Sequence, residues 1–217
     1  MAVATPELTR RIEDGQSLST LVWRFPAPVR CVSTAAIGGG LTEPSWLVNA
    51  QVPHGYARTD LTEHAAQIAA QLHLQSDGIV MLTAVDVAHR TVMTVDTVTV
   101  VATVGVSDPV WAADVDAVVE TAPQAGTVNI VALVPVALSA AAMINFVATL
   151  TEAKCQAFAA ALLPGTGTPS DAVAVICPRD GEAELFGGPR SRWGRPAAQA
   201  AYDAITAGLR VGDEPLC

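Results

Sequence analysis

Two rhythms of apolar and polar positions run along this chain. The first is that of short strands. Leu18–Phe25 and Val29–Ala36 are joined by Pro26-Ala27-Pro28, a tight connection whose prolines must sit off the hydrogen-bond ladder. Trp46–Val52 and Gly78–Val85 read as strands, the second of buried type and ending at Asp86. Thr91–Val106 alternates Thr and Val, which predicts two strands, or one long bent strand, with a half-solvated face. Val128–Val134 is a β-branched run broken by Asn129 and ended by Pro135, and Ala172–Cys177 is a second buried-type strand.

The second rhythm is helical. Thr59 or Asp60 can cap a helix running to about Leu74, with Leu61, Ala65, Ile68 and Leu72 on its apolar side. Leu138–Leu163 holds no Gly or Pro and predicts a helix of about seven turns, stopped by Pro164-Gly165. Ala197–Leu209 predicts a closing helix. Met1–Gly15 reads as a loose lead-in or a short helix, and Asp114–Glu120 as an acidic connection. Neighbouring strands favour antiparallel pairing, while the central strand-helix-strand unit suits a parallel pair. The expected fold is therefore α+β: one domain over residues 1–217, with a mixed, largely antiparallel sheet covered by helices and loose termini at 1–17 and 210–217. An α/β arrangement is the alternative.

Composition sharpens this picture. Hydrophobic residues make up 51% of the 217 and charged ones 15%, which implies a large core of small side chains or a core extended by a homo-oligomeric interface. The net charge of −9 argues against nucleic-acid backbones and anionic membranes as partners. Met1–Arg11 has no apolar signal core. The apolar run Val128–Leu150 contains Asn129, Pro135 and Asn145, so it reads as a buried strand and helix, not a membrane span. Cys31, Cys155, Cys177 and Cys217 form no CxxC pair and fit buried thiols in a reducing cytoplasm. His54, His64, His73 and His89 form no HxH or HExxH, so no metal site is expected, and no GxSxG elbow is present.

Candidate chemistry then falls on a few stretches. On the long helix Asn145, Thr149, Glu152 and Gln156 share one face, either a solvent face or a stripe lining a pocket. Lys154 falls on the apolar side, where it must snorkel out or meet a carboxylate or anionic ligand. Asp86 follows a strand's C-terminal end, a placement shared by catalytic carboxylates and by caps. Gly38-Gly39-Gly40 is either a main-chain cradle or a mobile turn. Asn49 sits inside a strand as a site residue or a satisfied core amide. Gly165-Thr166-Gly167-Thr168, with Asp171 opening the next strand, can offer backbone N–H groups to an oxyanion. Arg190, Arg192 and Arg195 cluster beside Trp193, as an anion clamp or a solvated turn.

Taken together, GTVNI (126–130), ATLTEAK (148–154), GTGTPSDAVAV (165–175), IGGGL (37–41), NAQVP (49–53), MLTAVDV (81–87) and ATVGV (102–106) resemble the adenosylcobinamide amidohydrolase (CbiZ-type) family of corrinoid-salvage proteins. The likeness runs in order from about Ser33 to Ile205. Pro169-Ser170 ahead of Asp171, and Leu150 in place of a small residue, depart from the family's usual blocks. The resemblance implies hydrolysis of the amide joining aminopropanol to the corrin ring of adenosylcobinamide, giving adenosylcobyric acid. The corrinoid would be the substrate, and no cofactor is expected. On that reading Glu152 or Asp86 would activate water, and Lys154 with the Thr166–Thr168 amides would stabilise the oxyanion. Asn129 and Thr151 would orient groups, and Gly38–Gly40, Arg190 and Trp193 would lie against the ligand. A corrinoid-binding protein without hydrolysis, or an amidase acting on another amide, are the competing readings.

Overall fold

A computed structural model describes residues 5–114 and 126–211. Ten strands and three helices follow one another along these residues. Strands β1 (Glu7–Glu13), β2 (Gln16–Arg24), β3 (Val29–Ser33), β4 (Gly40–Thr42) and β5 (Trp46–Gln51) lead into α1 (Leu61–Gln71). Strands β6 (Gly78–Thr83), β7 (Thr91–Val95), β8 (Val98–Gly105) and β9 (Thr127–Leu133) come next, followed by α2 (Ala140–Ala160), β10 (Ala172–Pro178) and α3 (Gly194–Val211).

The strands form two sheets. One has the order β1-β2-β5-β6 and the other β4-β3-β10-β9-β8-β7. Each carries one parallel pair, β5 with β6 and β9 with β10, among otherwise antiparallel neighbours. The α+β expectation holds, with one addition: the expected single sheet is two sheets stacked face to face. Helix α1 packs on the outer face of the first through Ile68, Leu72, Val22 and Val48. Helices α2 and α3 pack on the outer face of the second through Phe146, Phe158, Ala201 and Ile130. Trp23, Leu47, Met81, Val131 and Ile176 fill the space between the sheets. The result is four layers: helix, sheet, sheet, helices.

This layering accounts for the sequence pattern. Strand β9 is buried along its whole length, with Val128, Ile130 and Ala132 facing the helices and Val131 and Leu133 facing the other sheet. A strand covered on both faces reads as a continuous apolar run without alternation. In α3, Ala197, Ala200, Ala201 and Ala204 are fully buried, which lets the helix approach its neighbours closely. Much of the excess of small apolar residues is thus core. Phe146 and Phe158 are each fully buried and contribute about 2–3 kcal/mol apiece by area removed from water.

One expectation changes, one alternative is decided, and part of the chain is not described. Residues Glu7–Glu13, expected as lead-in, form an edge strand. Asp14 and Gly15 make this possible, because both take positive φ (49° and 76°) in a two-residue hairpin loop joining β1 to β2. Thr91–Val106 resolves into the hairpin β7–β8, turning at Asp96-Thr97. Val115–Glu120 of the acidic connection, and Cys217, lie outside the described residues.

Candidate functional site

The directions of the two parallel pairs create one shared end of the double sheet. There β5 and β6 finish while β9 and β10 begin. A cavity of about 440 Å³ opens at this end. Its walls are Thr34–Ile37 after β3, Val52, Pro53, Tyr56 and Arg58 between β5 and α1, and Val80–Ala84 of β6 and its exit. Thr127 at the start of β9 and Pro169–Ala172 at the start of β10 complete it.

The β10 side of the rim is built by one carboxylate. Asp171 Oδ1 accepts the Val128 N–H at 2.8 Å and the Thr168 hydroxyl, and Oδ2 accepts the Thr168 N–H at 3.0 Å. Oδ2 also receives the ammonium of Lys154, which reaches it from the apolar side of α2. Of the two fates open to Lys154 in the sequence, the structure chooses the carboxylate. Gly167 is required by this pair, since a Cβ there would collide with both Lys154 Nζ and Asp171 Oδ2. Next to it, Thr127 Oγ1 and Ser170 Oγ lie 2.7 Å apart, and Ser170 can donate to the Gly126 carbonyl at 3.1 Å. Thr168 is buried, while Thr166 accepts the Ala112 N–H at 3.0 Å and sits away from the cavity wall.

Behind the cavity floor a polar bridge crosses between the sheets. Asn129 Nδ2 donates to Asn49 Oδ1 at 2.9 Å and to the Leu82 carbonyl at 3.2 Å, and Asn49 Nδ2 donates to Thr103 Oγ1 at 3.0 Å. Asn129 Oδ1 is buried with no hydrogen-bond partner. Such an orphaned acceptor costs roughly 1–3 kcal/mol. Asn49 and Asn129 thus come together, beside the cavity and not on its wall.

The α1 side holds groups that sequence reasoning passed over. The Tyr56 hydroxyl lies 2.6 Å from His64 Nδ1. His64 is buried, and its Nε2 is 3.1 Å from Glu13 Oε1, within ion-pair reach but off the line of a straight hydrogen bond. Glu13 Oε2 is paired with the Arg11 guanidinium, which also donates to the Gln51 carbonyl. Burial pushes the Tyr56 phenol above its ordinary pKa, with the charges of Arg58, Glu13, Asp60 and Arg11 as lesser influences. Arg58 donates to Asp60 and to Gln67, and that hydrogen bond to Arg58 is the main cause holding the Asp60 carboxyl down at about 2. Asp60 precedes α1 but spends its side chain on Arg58, making no cap bond. The only sequence signals for this cluster were His64 among apolar helix positions and a lone Glu beside Asp14-Gly15.

Other expected site residues lie elsewhere. Glu152 and Thr151 are exposed on α2, and Thr151 donates back to the Val147 carbonyl at 2.8 Å. The stripe Asn145, Glu152, Gln156 is therefore a solvent face, and Thr149 alone is buried, donating to the Gly187 carbonyl at 3.0 Å. Asp86 caps the short 3₁₀ helix Val87–His89 by accepting the Ala88 N–H at 2.9 Å. Gly38 and Gly39 are demanded by neighbouring backbone: a Cβ at Gly38 would strike the Gly78 carbonyl, and one at Gly39 the Ala35 carbonyl. Gly40 lies in edge strand β4, with open space where its Cβ would be. Among the four residues Ile37–Gly40 only Ile37 reaches the cavity. Trp193 donates to Glu184 at 3.0 Å, and Arg192 lies over its ring. Arg190 and Trp193 belong to the segment that follows β10, and neither is part of the cavity wall. Glu152, Asp86 and Thr166 accordingly do not converge on one hollow.

Among the described residues no three His, Cys, Asp or Glu side chains gather as metal ligands, and no helix is long and apolar enough to cross a membrane. The fold and cavity define a four-layer α+β protein with a cavity rimmed by hydroxyls and, beside it, a largely buried cluster of Tyr56, His64, Glu13 and Arg11. Within that class the chain belongs to the adenosylcobinamide amidohydrolase family, whose sequence profile matches residues 5–214. An adenosylcobinamide amidohydrolase of Halobacterium salinarum is 34% identical over 183 residues, covering 81% of this chain and 78% of that protein. Another from Methanosarcina mazei is 28% identical over 192 residues, covering 84% of this chain and 91% of that protein.

Proposed function

We propose that the chain hydrolyses the amide joining aminopropanol to the corrin ring of adenosylcobinamide, releasing aminopropanol and adenosylcobyric acid for coenzyme B12 salvage. Family membership along nearly the whole chain supports the reaction, and the 440 Å³ cavity supports the place. Pockets of about 300–1,000 Å³ suit ligands of drug size. A whole corrin with its side arms is larger than this cavity, so the arm bearing the scissile amide enters and the macrocycle lies across the rim.

The rim chemistry fits an amide. Thr127 and Ser170 hydroxyls stand where a carbonyl oxygen or a leaving amine can be met, and Asp171 with Lys154 fixes the backbone that carries them. Lys154 is tied to Asp171, so its part is to hold the rim; the Thr166 and Thr168 N–H groups are spent on the Val110 carbonyl and on Asp171, so oxyanion contact falls to the hydroxyls. The free thiols of Cys31, Cys155 and Cys177 support a cytoplasmic setting. Exposed Leu185 and Phe186 support a homo-oligomer.

The test is release of aminopropanol from purified adenosylcobinamide, followed by chromatography of both products. Stoichiometric aminopropanol and adenosylcobyric acid are expected. A spectral shift of the corrinoid without product would make this a binding protein instead, and turnover only of other amides would assign a different amidase.

A further inference from the structure

Among the described residues of the cavity wall Asp171 is the only carboxylate, and both its oxygens are taken by Lys154, Val128 and Thr168. Amide hydrolysis still needs a group to take a proton from water. We propose that Tyr56 is that group, and that His64 and Glu13 position it and receive its proton. This rests on the reading of the chain as an amidohydrolase.

Four observations carry the assignment. Tyr56 is part of the cavity wall, and its hydroxyl is 2.6 Å from His64 Nδ1. His64 is 1% exposed and Arg11 4% exposed, so these ionisable groups have been taken out of water. Burying such groups is costly unless other charged or polar groups face them, and here the contacts run in one line from Arg11 through Glu13 and His64 to Tyr56. The line is assembled from β1, α1 and the loop between β5 and α1, three elements that meet at the cavity end of the first sheet.

The relay assigns a direction to the proton flow. His64 Nε2 lies 3.1 Å from Glu13 Oε1, and the relay keeps the proton of neutral His64 on that nitrogen. Nδ1 is then an acceptor, and the Tyr56 hydroxyl donates to it. The phenolic oxygen keeps a lone pair for a water in the cavity. As the water oxygen attacks the amide carbon, its O–H bond breaks and that proton passes to Tyr56 Oη. The Tyr56 proton passes to His64 Nδ1, giving an imidazolium beside the Glu13 carboxylate. When the C–N bond breaks, the proton returns through Tyr56 to the leaving nitrogen, and aminopropanol departs as the neutral amine. This is the nucleophile, base and orienting-acid pattern of hydrolases, with water as the nucleophile and a phenol as the relay.

The experiment compares wild type, Tyr56→Phe, Glu13→Gln and the double variant, using adenosylcobinamide as substrate. Tyr56→Phe keeps the ring beside His64 and removes only Oη. Its kcat should fall about 100-fold with KM within about twofold, and its dissociation constant for adenosylcobinamide should be unchanged. Glu13→Gln should also lower kcat, and the double variant should be no slower than Tyr56→Phe alone, because the two act as one unit. A merely structural cluster would lower the melting temperature and leave kcat near wild type. Wild-type kcat in Tyr56→Phe, or multiplicative losses in the double variant, overturns the relay while the amidohydrolase reading stands. Wild-type protein that binds adenosylcobinamide without releasing aminopropanol overturns both.

Discussion

Replacing Lys154 by Met tests how the cavity rim is held. Lys154 and Asp171 leave only 10% and 12% of their side chains accessible, and their contact joins mid-α2 to the start of β10. Met keeps the length and apolar packing of the lysine stem and removes the ammonium. Asp171 is then a buried carboxylate without its cation. Removing one member of a buried pair costs about 3–5 kcal/mol. Asp171 still accepts from the Val128 and Thr168 amides and the Thr168 hydroxyl, which places the loss near the lower end, at about 3 kcal/mol. For a domain of this size that is a fall of roughly 6–12 °C in melting temperature. Urea unfolding followed by circular dichroism should show a lower midpoint with an unchanged slope. Adding Asp171→Asn to Lys154→Met should recover part of the loss, because no buried charge remains. A cost below about 1 kcal/mol for Lys154→Met, or no recovery in the double variant, would refute the view that this pair holds the rim.

Three further outcomes follow from the same geometry. Glu152→Gln should keep kcat within about twofold of wild type, as expected of an exposed side chain on α2, and a large loss in an aminopropanol-release assay would return Glu152 to the mechanism. Asp86 is held below the usual carboxylate pKa: burial raises it, but the Ala88 N–H and the Ser19 hydroxyl outweigh that. Its stability contribution is therefore present above the unfolded carboxylate pKa of about 4 and lost as pH falls through the lower folded value. Asp86→Asn should flatten this part of the acid limb in a series of urea midpoints against pH. Burial pushes the Cys31 thiol up to about 12 and raises that of Cys177, so iodoacetamide at pH 8 should label both only after unfolding, as read by mass spectrometry.

The strands and helices were largely legible because each buries a face of one period. The α2 expectation of Leu138–Leu163 differs from Ala140–Ala160 only at the ends, where Ser139 caps the helix and Leu162 takes positive φ. What the pattern could not carry was the stacking of two sheets. A strand buried on both faces looks the same whether helices or a second sheet cover it, as β9 illustrates. Edge strand β1 was missed because Arg10, Arg11 and Glu13 make it polar, although Asp14-Gly15 is a hairpin signal. At the site, Lys154 was legible, since a cation on an apolar helix face demands a partner. The glycine triplet misled because positive φ and close approach serve chain-to-chain packing as readily as ligands. Tyr56, His64 and Glu13 were illegible because they lie in three elements and meet only through the fold.

Turnover requires the amide-bearing arm to enter the cavity where β5 and β6 end and β9 and β10 begin. Ala36 is an exposed residue of the cavity wall, so Ala36→Trp fills the hollow without disturbing the core. With the melting temperature unchanged, this variant should lose aminopropanol release from adenosylcobinamide while wild type turns over. Release at the wild-type rate from the plugged cavity would place the reaction elsewhere on the protein.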